Sequence, residues 1–131
     1  MYLGNKVGRF FPQEPRQRAN VTQWLMWQMA GFGPMLGQAH HFFNAAPQQI
    51  PYAQNRYHRE AQRLYKVLDT QLTTHEYVAG EYSIADMTIY PWVAARKAQR
   101  IELIDYPHVQ RWVDLLKQRP ALQRGFGVGR E

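Results

Sequence analysis

Chemistry in this 131-residue sequence could come from a basic stripe, a histidine pair, a glycine-rich run and a serine–aspartate pair. Arg56, Arg59, Arg63 and Lys66 recur every three or four residues, so on a helix they share one face. That face is either simply solvated, or its N-terminal member Arg56 looks into a cleft and meets a carboxylate, for which a planar guanidinium fork is well suited. His40 and His41 are adjacent and therefore point in different directions on a helix, without the i, i+4 spacing of a chelate. Packing or surface placement is the simpler reading, and no metal site is expected. Gly31-x-Gly33-x-x-Leu36 misses the third glycine of a dinucleotide fingerprint, and no Lys-Ser/Thr pair follows it as in a phosphate loop. Ser83 and Asp86 have the spacing of a capping box. The serine accepts from the amide of Asp86, and the aspartate reaches back to the amide of Ser83. Their expected role is structural.

Composition narrows the field further. The absence of cysteine removes disulfides, thiolate metal ligands and cysteine nucleophiles. A hydrophobic content of 45% suffices for one ordinary core. Nowhere do 18 apolar residues run together, and the opening MYLGNKVGRF has no signal-peptide pattern, so the expectation is a soluble cytoplasmic protein without a membrane partner. The net charge of +6 asks for an anionic partner, but the cations are spread along the chain with no run of four, which argues against nucleic acid.

The elements that must hold these residues all read as helices. Met1, Tyr2, Leu3 and Val7 look like a helix tail ending at Gly8. From Gln13 or Pro15 to about Gly37, Val21, Leu25, Met29, Phe32 and Leu36 form one apolar stripe and Trp24, Trp27, Gly31 and Met35 a second. A helix apolar on two faces needs a cover on both, from the core and from another domain or subunit. Each interior glycine costs about 1 kcal/mol relative to alanine, so Gly31, Gly33 and Gly37 call for compensation by a close backbone or by room for a ligand. Pro51 opens a strongly amphipathic helix carrying Tyr57, Ala61, Leu64, Leu68 and Leu72. The capped segment runs from Ser83 to about Gln99 with a proline kink at Pro91. Another helix starts at Asp105-Tyr106-Pro107, carries Val109, Trp112, Val113 and Leu116, and stops at Arg119-Pro120. A short helical turn at Ala121 to Arg124 precedes a tail too rich in glycine for a stable element. No strand is expected, and the fold class is all-α.

Specific runs then point to a family. Gln23-Trp24-Leu25-Met26-Trp27-Gln28, Gly33-Pro34-Met35-Leu36-Gly37-Gln38, His40-His41-Phe42, Ile50-Pro51-Tyr52-Ala53, Arg56-Tyr57 and Tyr82-Ser83-Ile84-Ala85-Asp86 resemble bacterial nu-class glutathione S-transferases. These are also described as glutathione-dependent disulfide-bond oxidoreductases. The resemblance implies residues 14–125 as the C-terminal helical domain, residues 1–13 as the remnant of a thioredoxin-like domain and linker, and residues 126–131 as a flexible tail. The groups that activate the glutathione thiol lie in the thioredoxin-like half, so no catalytic residue carries over. Arg56 is implied to reach a glutathione carboxylate in the dimer, with Gln28 beside it. Trp24, Gly31, Gly33, Met35, His40 and Phe42 are implied as acceptor-pocket candidates. Glutathione or its disulfide is the expected ligand, bound weakly or not at all by this half. A homodimer and the thioredoxin-like domain are the expected partners. The chain alone is expected to be inactive, the acceptor-pocket and dimerisation half of a transferase or disulfide oxidoreductase. The alternative is a non-enzymatic helical interaction module.

Overall fold

Proline marks where five of the helices begin, because its missing N–H falls where a first turn has no acceptor to offer. The computed structural model describes residues 1–128. Its α-helices are α1 (Tyr2–Val7), α2 (Pro15–Trp27), α3 (Gly33–Asn44), α4 (Pro51–Leu72), α5 (Ile84–Ala94), α6 (Pro107–Lys117) and α7 (Pro120–Gly127). Among the described residues there is no strand, only an isolated bridge between Tyr77 and Gly80, and no helix is long and apolar enough to cross a membrane.

The central layer is α5, which packs on α2 and α6, while α4 packs on α3 and α6. The apolar face of α4 lies inside through Ala61, Leu64, Leu68 and Leu72, and that of α6 through Val109, Trp112, Val113 and Leu116. Each large side chain buried in this way contributes about 1.5–3 kcal/mol. Phe32 joins the layers, stacked on Trp27 at 4.8 Å and tilted against Tyr65 at 5.4 Å between ring centroids.

Capping explains where several elements start. Glu14 accepts from the amides of Arg16 and Gln17, which hold its carboxyl below the ordinary range. At α5 the capping box is present in both halves, with Ser83 N donating to Asp86 Oδ2 at 3.0 Å. Asp86 does more than cap. Its Oδ1 also accepts from Val78 N at 3.0 Å and from Trp112 Nε1 at 2.9 Å, so one fully buried carboxylate ties together the loop, α5 and α6. The cap of α6 comes from α4 rather than from its own flank: Asp69 Oδ1 accepts from the amides of His108 at 2.9 Å and Val109 at 3.1 Å.

Four features depart from the sequence reading. The expected single helix to Gly37 is interrupted by a π-helical turn, Gln28–Phe32, where the amide of Gly33 bonds back to the carbonyl of Gln28. Gly33 and Gly37 accommodate a side chain rather than a backbone or a ligand. A Cβ on Gly33 would lie 3.1 Å from the Trp92 indole and 2.7 Å from Gln28 Nε2, and one on Gly37 3.6 Å from the same indole. The α5 helix ends at Ala94 rather than near Gln99. Beyond Pro91 the chain tightens into a 3₁₀ turn, Arg96–Gln99, held by Gln99 Nε2 donating to the Trp92 carbonyl and by Tyr65 donating to Gln99 Oε1. Lastly, α7 continues through Gly125, Phe126 and Gly127, because the Phe126 ring packs edge-on against Tyr90 at 5.4 Å. Of the expected tail, residues 129–131 lie outside the described residues.

Candidate functional site

Because one face of α4 is buried, its opposite face presents Arg56, Arg59, Glu60 and Arg63 at spacings of three and four. Across from them stand Gly31, in the π-helical turn, and Met35, at the start of α3. Between the two walls runs a groove of about 620 Å³. Tyr57 forms part of it, and its ring is fixed by stacking on Phe42 at 5.3 Å with 10° between the planes. Gly31 leaves the floor open: the nearest atom to a Cβ placed there is Leu64 Cδ2 at 4.0 Å.

The electrostatics of the groove are unbalanced. Glu60 is held in a two-pronged pair with Arg63, at 2.7 Å to one carboxylate oxygen and 2.8 Å to the other. This hydrogen bonding, with the nearby charges of Arg63 and Arg56, lowers the Glu60 carboxyl, and Glu60 in turn raises the Arg63 guanidinium. Arg56 and Arg59 have no carboxylate partner among the described residues. Arg56 Cζ lies 6.0 Å from the Tyr57 ring centre, the outer limit of a cation–π contact. Arg59 makes one long bond, Nε to the Asn55 carbonyl at 3.4 Å. Such a surface can hold and orient an anion. Among the described residues its lining has no serine, cysteine or lysine to act as a nucleophile.

The structure brings Gly31, Met35 and Arg56 together in this groove, and Phe42 reaches it by stacking on Tyr57. The remaining sequence-named positions lie elsewhere. Trp24 is in the core, edge-on to Trp27 at 5.1 Å. Gln28 is buried, its Oε1 without a hydrogen-bond partner and its amide nitrogen against Gly33. Gly33 is buried under Trp92, and His40 is exposed, its carbonyl taking the Asn44 side chain. Ser83 and Asp86 belong to the α5 cap. The groove also includes Glu60, which the sequence reading did not single out. Its signal was Glu60-x-x-Arg63, an i, i+3 ion pair within the basic stripe.

A second cavity of about 450 Å³ separates the segment after α1 from the loop before α5, with Phe10, Phe11, Val21 and Tyr82 among its walls. Among the described residues Glu81 is the one charged residue lining it, and none of them would attract a carboxylate.

The sequence matches the family described as glutathione S-transferase, C-terminal domain, over residues 32–120. It is 52% identical over 122 residues to the disulfide-bond oxidoreductase YfcG of Escherichia coli K12, covering 92% of this chain and 57% of that protein. A glutathione transferase from Burkholderia graminis, solved with two glutathione molecules bound per subunit, matches with a TM-score of 0.90 and 35% identity. The match covers 99% of this chain and 57% of the other. A second, from Pseudomonas putida with one glutathione disulfide bound per subunit, gives a TM-score of 0.88 and 38% identity, over 98% and 59% of the two chains. The chain therefore spans a little over half the length of these relatives. With the matched segment reaching from the π-helical turn to the start of α7, this chain belongs to the glutathione S-transferase family and has the fold of its C-terminal helical domain.

Proposed function

We propose that this chain is the helical half of a nu-class-type glutathione transferase or glutathione-dependent disulfide oxidoreductase. In that role it lines the acceptor pocket, provides dimer surface and offers Arg56 to a glutathione carboxylate. The observation that carries the reading is Arg56 itself: a guanidinium without a carboxylate partner among the described residues, at an open groove whose one carboxylate is already engaged by Arg63. The chemistry would be attack of a glutathione thiolate on a disulfide or an electrophilic carbon, with the thiol supplied by the ligand because the chain has no cysteine. Activation and orientation of that thiol would come from a thioredoxin-like partner domain, so the chain alone contributes binding without turnover.

Calorimetric titration of glutathione and its disulfide into the purified chain tests this. Weak binding that Arg56→Ala abolishes is expected, with no conjugation of a chlorinated nitroaromatic substrate. Clear conjugation by this chain would sink the reading, and absence of binding would remove Arg56 from it and leave only the scaffold role.

A second reading, a non-enzymatic interaction module, is favoured by one feature: Met26 and Met29 are 47% and 59% exposed on the segment expected to need an outer cover. It predicts oligomers without glutathione binding. Light scattering that reports a monomer at high concentration would remove it.

A further inference from the structure

We propose that Arg59 is a second anion-binding residue of the α4 groove, and that the groove therefore selects ligands with several carboxylates, preferring glutathione disulfide to the reduced thiol. The inference rests on the reading of Arg56 above and extends it to a neighbour with a different task. Arg56 and Arg59 stand one turn apart on α4, and residues at this spacing have Cβ atoms about 5–6 Å apart. Both line the same groove.

What separates Arg59 from the rest of the stripe is its set of partners. Both oxygens of Glu60 are engaged by Arg63, which withdraws Arg63 as an anion receptor and leaves Glu60 with no hydrogen bond to Arg56 or Arg59. Arg59 uses Nε for the Asn55 carbonyl, and both its terminal nitrogens remain for a ligand. Among the described residues, three guanidiniums against one carboxylate leave the groove with two uncompensated positive charges.

The two forms of glutathione differ in the property such a groove reads. Reduced glutathione has two carboxylates and one ammonium, a single net negative charge at neutral pH. The disulfide has four carboxylates and two ammoniums, twice the net charge, so its attraction to a doubly positive groove is correspondingly larger. Its carboxylates are also spread over a longer molecule, so two of them can meet two guanidiniums a turn apart. Met35 and the Tyr57 ring supply soft, polarisable walls for the sulfur-bearing middle of the ligand, and Gly31 leaves its backbone room to approach.

The test is calorimetric titration of the disulfide, the reduced thiol and succinate into the wild-type chain and into Arg56→Ala, Arg59→Gln and Arg59→Lys, at low and at physiological salt. The wild type should prefer the disulfide. Arg59→Gln should weaken disulfide binding by about threefold to fivefold, the scale of one exposed ion pair, and thiol binding by less than twofold. The preference should then shrink, and Arg59→Lys should restore part of it through charge without the planar fork. Glutamine suits a helix surface, so unchanged thermal melting is expected for Arg59→Gln. An unchanged disulfide-to-thiol ratio in Arg59→Gln, with binding still lost in Arg56→Ala, overturns this inference and leaves the Arg56 reading standing. Absence of any binding by the wild type overturns both. Succinate binding as tightly as the disulfide would make the groove a general anion sink and also overturn the selectivity.

Discussion

The amino end of α5 and the groove along α4 both bring charged side chains to a helix, and they do so in opposite ways. At α5 the Asp86 carboxylate is fully buried and accepts from Val78 N, Ser83 N, Ser83 Oγ and Trp112 Nε1. Along α4, Arg56 and Arg59 stand in solvent with almost nothing attached. A polar group whose partners are all supplied by its own chain is committed to holding the fold, since removing it strands every donor around it. A charged group with unused donors beside a groove is available to something else. The contrast separates the residues this chain needs in order to exist from those it can offer a ligand.

Four substitutions and one titration sharpen or break that division. Asp86→Ala should have the largest effect, about 3–5 kcal/mol of lost stability, because it strands buried donors from the loop, the α5 start and Trp112. A thermal melt that coincides with the wild type would remove Asp86 from the structural side. Gly33→Ala should cost about 1–2 kcal/mol: the new methyl meets the Trp92 indole and Gln28, and alanine's better helix propensity offsets only part of the clash. Urea unfolding midpoints would measure it. Asp69→Ala should cost a similar 1–2 kcal/mol through the lost α6 cap, with faster hydrogen exchange at the amides of His108 and Val109 as its local signature.

Smaller still is the dependence on pH. Burial pushes the Asp86 carboxyl above its ordinary 3.8 despite the four donors opposing that shift. The folded chain then holds this proton more tightly than the unfolded chain does. Its stabilising contribution is full below the ordinary value and is lost as pH rises through the raised one. The stability difference between wild type and Asp86→Asn should move in favour of wild type as pH is lowered from 7 toward 4, measured by denaturant titration. At the bottom of the scale, Arg56→Ala should leave stability within about 0.5 kcal/mol of wild type while abolishing glutathione binding. A lower melting temperature would place Arg56 among the structural residues and collapse the comparison.

Much of this was legible in the sequence, for identifiable reasons. The α4 and α6 faces could be read because a 3.6-residue apolar period has one interpretation when sustained over several turns. The α5 start could be read from Ser83 and Asp86 because capping is local chemistry. The extra residue of the π-helical turn could not be read, and it displaces Met29 within the turn from the stripe its spacing implies. Val21, Leu25, Phe32 and Leu36 are buried as their spacing implies, while Met29, within the turn, is 59% exposed. Gln28 lies in the same turn and is buried with its amide against Gly33, whereas Gly31 and Met35 open onto the groove. The continuation of α7 beyond Arg124 was illegible for a different reason: its glycines speak against a helix, and only the Phe126–Tyr90 contact, made through the fold, reverses that. In the candidate site, the basic stripe is visible in sequence. Which of its members are already engaged is not, because that depends on which carboxylate each guanidinium reaches.

The Asp69 clasp gives the chain a direction in time. The acceptor for the first amides of α6 lies 39 residues upstream of His108, on a helix that leaves the ribosome earlier. During synthesis the acceptor on α4 is therefore always made before the amides it caps. A circularly permuted chain that delivered α6 first would make that helix with its amide end open until Asp69 followed, so the order of the helices along the polypeptide fixes which end of the clasp exists first.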